Sequence, residues 1–88
     1  MALFLIEREF AQALDLDAKG VTDIVAVNDD AGVRWVYSFL SADKRKTYCL
    51  YEADSEEAIL VAARRNGIPA DVIVRVDQLD PEVLAAGA

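Results

Sequence analysis

Histidine is absent from this chain, and cysteine occurs once, as Cys49. Nucleophilic triads therefore lack their usual base. Zinc or nickel centres built from imidazole are excluded, and one thiolate cannot replace them. A single cysteine cannot close an internal disulfide. With no base or metal partner near it in the sequence, Cys49 reads as a small buried hydrophobe on a strand. Positive charge is also scarce: nine Lys and Arg stand against 16 Asp and Glu, a net charge of −7. Such a surface is repelled by phosphate backbones and anionic lipid, so neither nucleic acid nor membrane is expected as a partner. No long hydrophobic run occurs near the start. Ala2 to Ile6 is too short to span a bilayer, and no signal-peptide pattern accompanies it, so a cytoplasmic protein is expected. No Gly-rich phosphate loop is present. A partial calcium-loop pattern begins at Asp15-x-Asp17 with Gly20 in sixth place. It fails where Lys19 takes a ligand position and Ala26 replaces the bidentate glutamate.

Apolar residues, by contrast, are abundant, at 55% of 88 residues. A chain of this length forms one domain and buries only about 60–65% of its unfolded surface. The surplus calls for a partner surface. Residues 2–9 read as a strand, apolar and then charged. Residues 10–16 connect it to a helix over roughly 17–30, capped by Asp15 or Asp17, with Val21, Ile24, Val25 and Asn28 on one side and Gly32 as its stop. Val33 to Ser41, β-branched and aromatic, is the clearest strand. The short turn Ala42 to Lys46 joins it to a strand over 47–53, as an antiparallel hairpin. Asp54, with Glu57 in capping-box position, opens a second helix whose stripe is Ala58, Ile59, Ala62 and Ala63. Arg64 and Arg65 suit its last turn, Gly67 ends it, and Pro69 prevents resumption. A last strand covers 72–79, broken by Asp80-Pro81.

The order β-α-β-β-α-β predicts an α+β, ferredoxin-like fold with a four-stranded antiparallel sheet and two helices on one face. The domain covers residues 1–81, and 82–88 form a tail. Strict alternation puts Val33, Trp35, Tyr37 and Phe39 on one face of the second strand, and Arg34, Val36, Ser38 and Leu40 on the other. Leu3 and Leu5 oppose Phe4 and Ile6; Tyr48 and Leu50 oppose Thr47, Cys49 and Tyr51. A sheet with one wet face alternates apolar with polar. This one is apolar on both, and two helices cover only one. A homodimer packed sheet to sheet, as in a dimeric α+β barrel, is the expected solution, with room for a small organic ligand.

The candidate ligand-binding residues are Glu7, Trp35, Tyr37, Tyr48, Tyr51 and Arg65: four aromatics as walls and two charged groups. Glu7 and Tyr37 are the candidate acid or base, because burial would bring a carboxyl toward the working range. The basic tip Asp43-Lys44-Arg45-Lys46 reads as a solvated turn, with an anion contact as the alternative.

The stretch Gly32-Val33-Arg34-Trp35-Val36-Tyr37-Ser38-Phe39, with Asp43-Lys44-Arg45-Lys46-Thr47-Tyr48-Cys49-Leu50-Tyr51, carries a family resemblance. So do Ile6-Glu7-Arg8, Glu56-Glu57-Ala58-Ile59, Arg65-Asn66-Gly67-Ile68-Pro69-Ala70-Asp71 and Leu79-Asp80-Pro81. They resemble a family of small bacterial domains of unknown function that includes a nickel-binding protein. The resemblance implies a ferredoxin-like fold, commonly dimeric, with no established enzymatic activity, and it raises nickel as a ligand. Family members often carry histidine where Tyr37 stands, so the metal reading meets a departure here, and no residue is assigned as a metal ligand. Three functions stay open: a dimeric binding or association module; a cofactor-independent isomerase, cyclase or oxygenase using Glu7 or Tyr37; and a metal carrier.

Overall fold

Asp17 caps the first helix by accepting the Gly20 amide at 2.8 Å. That satisfies one of the free amides with which every helix begins. The computed structural model describes residues 1–87. Its elements are β1 (Ala2–Glu9), α1 (Ala18–Ala31), β2 (Arg34–Leu40), β3 (Lys46–Ala53), α2 (Glu56–Asn66), β4 (Val72–Val76) and α3 (Pro81–Ala85). The four strands form one antiparallel sheet in the order β2-β3-β1-β4, the ferredoxin-like arrangement read from the sequence.

One helix start, one strand end and the expected tail differ from expectation. α2 is capped by Ser55, whose hydroxyl accepts the Ala58 amide at 3.2 Å, and not by Asp54. This frame puts both Glu56 and Glu57 in the first turn, where the helix dipole favours acids. β4 stops at Val76 and not at Leu79, because Val76 pairs with Leu3 and β1 begins at Ala2. A strand at the sheet edge ends where its only neighbour does. Beyond it Asp80 accepts the Glu82 amide at 2.9 Å, and Pro81 sits at the first helical position, so Glu82 to Ala85 of the expected tail belong to the short helix α3, and Ala88 lies outside the described residues.

The core lies between the sheet and the two long helices. Phe4 and Ile6 of β1, Cys49 and Tyr51 of β3, and Ile59 and Ala62 of α2 are its centre. Cys49 is buried as expected, its Sγ 3.5 Å from Thr47 Oγ1. Gly32 and Gly67 end α1 and α2 with φ of 76° and 67°. That left-handed conformation is one glycine adopts without the Cβ penalty.

The second strand corrects the face assignment. Trp35 pairs with Tyr51, and Tyr37 pairs with Leu50, so Val36 is an extra residue in a β-bulge. Beyond the bulge the alternation restarts on the opposite face. Trp35 and Ser38 lie on the helix side, joined by a 2.7 Å hydrogen bond from Trp35 Nε1 to Ser38 Oγ. Tyr37 and Phe39 lie on the other side, at partners Leu50 and Tyr48.

Candidate functional site

The sheet has one face that no helix covers. Register places Leu3, Leu5 and Glu7 of β1 on it beside Val76, Val74 and Val72 of β4. On the other flank stand Leu50 and Tyr48 of β3, then Tyr37 and Phe39 of β2. Tyr37 is 52% exposed, Phe39 63% and Val74 46%, values that mark an uncovered apolar surface. Tyr37 and Phe39 meet edge to face, ring centroids 5.5 Å apart. The ends of this face are ionic. Lys46 Nζ lies 3.0 Å from Glu7 and 5.2 Å from the centre of the Tyr48 ring, and at the other end Arg34 pairs with Glu52. The hydrogen bond to Glu7 raises the Lys46 ammonium above its ordinary value. An open groove of about 550 Å³ runs over this face between Leu3, Val36, Tyr37, Leu50 and Val76.

The helix side holds a different constellation. Arg8 follows Phe4 and Ile6 by steps of two, so alternation carries a cation into the core, where it is 3% exposed. Its Nη1 donates to the Pro69 carbonyl, and its guanidinium carbon stands 5.6 Å from the centre of the Tyr51 ring. Asp71 positions that carbonyl: its amide donates to Glu7 O at 3.0 Å, and its carboxylate accepts the Glu9 amide at 2.7 Å. The Tyr51 hydroxyl accepts from Asn28 Nδ2 at 3.4 Å, and Asn28 Oδ1 accepts from Asn66 at 3.2 Å. A polar chain thus crosses the core from α2 through α1 to β3. Burial pushes the Tyr51 phenol above its ordinary value, against the opposing pull of Arg8 and the Asn28 hydrogen bond. Trp35 stacks on Tyr51, centroids 6.4 Å apart and planes within 10°.

The expected site residues are therefore divided among three places. Glu7, Tyr37 and Tyr48 share the uncovered face, with Tyr37 in the groove and Glu7 held by Lys46 at its far end. Trp35 and Tyr51 are on the helix side. Arg65 is at the end of α2, where it pairs with Asp30 of α1 at 2.7 Å. That contact also answers the acidic end of α1, where the dipole favours a cation. At the hairpin tip, Asp43 accepts the Ser41 hydroxyl at 2.7 Å and the Arg45 amide at 3.0 Å, which lowers its carboxyl below the ordinary value. Arg8 and Asn28 were absent from the sequence-derived candidates. The signals for them were a cation in phase with core residues and an amide in the apolar stripe of α1.

A family model described as nickel responsive protein SCO4226-like matches residues 4–76. The chain belongs to the SCO4226-like family. The match agrees with the family resemblance of the sequence. The crystal structure of SCO4226 from Streptomyces coelicolor A3(2) superposes with a TM-score of 0.76 at 25% identity, covering 90% of this chain and all of that one. No curated protein matches. The family's description raises nickel, and the donor set here does not fit it. The chain has no histidine, its one cysteine is buried, and among the described residues no three His, Cys, Asp or Glu side chains group as metal ligands. No helix among the described residues is long and apolar enough to cross a membrane.

Proposed function

We propose that this protein is a homodimeric association and binding module whose uncovered sheet face packs against the same face of a second copy. The observation that carries this reading is the row Val74, Leu5, Leu50 and Tyr37 across the four strands, with the exposed Phe39 beside Tyr37, on the face away from the two long helices. Burying roughly 600 Å² of such surface per protomer is worth roughly 15 kcal/mol at about 25 cal/mol/Å², which meets association costs of roughly 4–15 kcal/mol. A two-fold axis makes the contact self-complementary, and the ion pairs Lys46–Glu7 and Arg34–Glu52 form a polar rim around it.

Closing a second sheet over the groove beside Val36 and Tyr37 would turn an open depression into a chamber suited to a small organic ligand. Tyr37, Glu52, Asp77 and Gln78 would be its polar groups. Glu7, one of the two expected acid or base residues, does not line the groove. Nickel responsiveness, the family's label, finds no ligand set among the described residues of a single copy. Size-exclusion chromatography with light scattering tests the dimer: a species of twice the 9.6 kDa chain mass is expected. A strict monomer at micromolar concentration overturns it.

A further inference from the structure

A cavity of about 60 Å³ lies on the helix side of the sheet, closed by the connection of residues 10–17. Phe10, Leu14 and Leu16 of that connection, Ile24 of α1, Trp35 of β2 and Cys49 of β3 form its walls. The polar groups beside it are already spent. Arg8 Nη1 donates to the Pro69 carbonyl, the Thr47 hydroxyl accepts from Cys49 Sγ, and the Tyr51 hydroxyl accepts from Asn28. What the cavity exposes is almost wholly apolar. A buried water needs about two to four polar partners, and a cavity without them stays dry. Atoms on a dry wall lack neighbours on one side, and an apolar guest restores that contact.

The connection is held against the β2–β3 hairpin by the Phe10 amide on Arg45 O at 2.8 Å and the Leu14 amide on Lys44 O at 2.7 Å. A wider depression of about 310 Å³ adjoins the cavity and shares Leu14, Leu16, Trp35 and Thr47 with it. Asp15 and Lys44 also line this depression, one charge of each sign.

We propose that this cavity binds an uncharged single-ring aromatic compound, its ring against Trp35 and a substituent in the outer depression. Charge, size and shape set the class. A carboxylate would find the nearby donors spent, and an ammonium would meet the Arg8 charge on the same wall. Either would lose its hydration without compensation. One water needs about 10–15 Å³ of such space, so 60 Å³ holds about four to six heavy atoms, close to one ring. The planes of Trp35 and Tyr51, both on the wall, lie within 10° of each other, and flat faces suit a flat ring. The site is on the opposite side of the sheet from the proposed dimer face, so either stands without the other.

Toluene, methylcyclohexane, benzoate and benzylammonium differ in ring chemistry and charge at similar size. Titration with each, read by the fluorescence of Trp35, the chain's only tryptophan, and by melting temperature, tests the proposal. Toluene is expected to give a saturable fluorescence change and a higher melting temperature. The other three are expected to bind at least tenfold more weakly. Cys49→Leu and Ile24→Phe each put a larger side chain on the wall and are expected to weaken toluene binding at least tenfold. Val74→Asp, on the other face, is expected to leave it unchanged. The comparison of the four compounds on the unaltered protein decides the matter if neither wall variant folds. No saturable toluene response, an equal response to any of the other three, full binding in a folded wall variant, or loss of binding in Val74→Asp overturns the proposal.

Discussion

Trp35 and Tyr37 lie on opposite faces of the sheet although they are two residues apart on one strand. The bulge at Val36 divides them: Trp35 pairs with Tyr51, and Tyr37 with Leu50. The two aromatics therefore answer to different energies. Trp35→Ala removes a ring stacked in the helix-side layer and is expected to destabilise the fold by about 3 kcal/mol. Tyr37→Ser, on the half-exposed face, is expected to change monomer stability by less than about 1 kcal/mol and to weaken association instead. Urea unfolding, with light scattering on the same samples, separates the two effects. Equal stability losses would contradict the division of faces.

A charge placed in the middle of the uncovered sheet gives a direct test of the dimer. Val74→Asp faces Leu5 across the strand pair and would bury a carboxylate in the interface. Light scattering is expected to show a monomer that keeps its circular dichroism spectrum. An unchanged dimer would show that the subunits meet through another surface.

The chain of Asn66, Asn28 and Tyr51 makes Asn28 costly to replace. Asn28 is 2% exposed and bonds both neighbours, so Asn28→Ala leaves buried polar groups without partners as well as a void. A loss of about 2–4 kcal/mol is expected in chemical denaturation. The companion Tyr51→Phe, which removes one hydroxyl, is expected to lose about 1–2 kcal/mol at neutral pH.

Tyr51 also sets an alkaline limit. Its phenol titrates above the ordinary 10.0 in the folded protein because burial disfavours the phenolate. The unfolded chain releases this proton first, so stability is fully present below about pH 10 and falls as pH rises through the folded value. Tyr51→Phe removes that contribution. Its stability, measured by denaturation between pH 8 and 11, is expected to fall less steeply than that of the wild type, by at most about 1.4 kcal/mol per pH step of one.

Nickel is expected to find no specific site. Without histidine, and with Cys49 buried, calorimetric titration should give no saturable micromolar event. A stoichiometric micromolar site would show that donors from two copies assemble one.

The sequence by itself determined the ferredoxin-like order of elements and where the two long helices stop. Gly32 and Gly67 act locally, through backbone angles and hydrogen bonds set within a few residues, while the choice of Asp17 over Asp15 as the first cap was left to the structure. It also determined that the sheet is apolar on both faces, since composition alone leaves more hydrophobic surface than two helices can cover. Tertiary structure decided which face each aromatic serves. A bulge is a property of a strand pair, so alternation along β2 alone predicted Tyr37 beside Trp35, and pairing with β3 separated them. Pairing likewise ended β4 at Val76, opposite Leu3 and one residue short of the start of β1. It also brought the Pro69 carbonyl and the Tyr51 ring around Arg8, residues distant in the chain whose meeting no local spacing encodes.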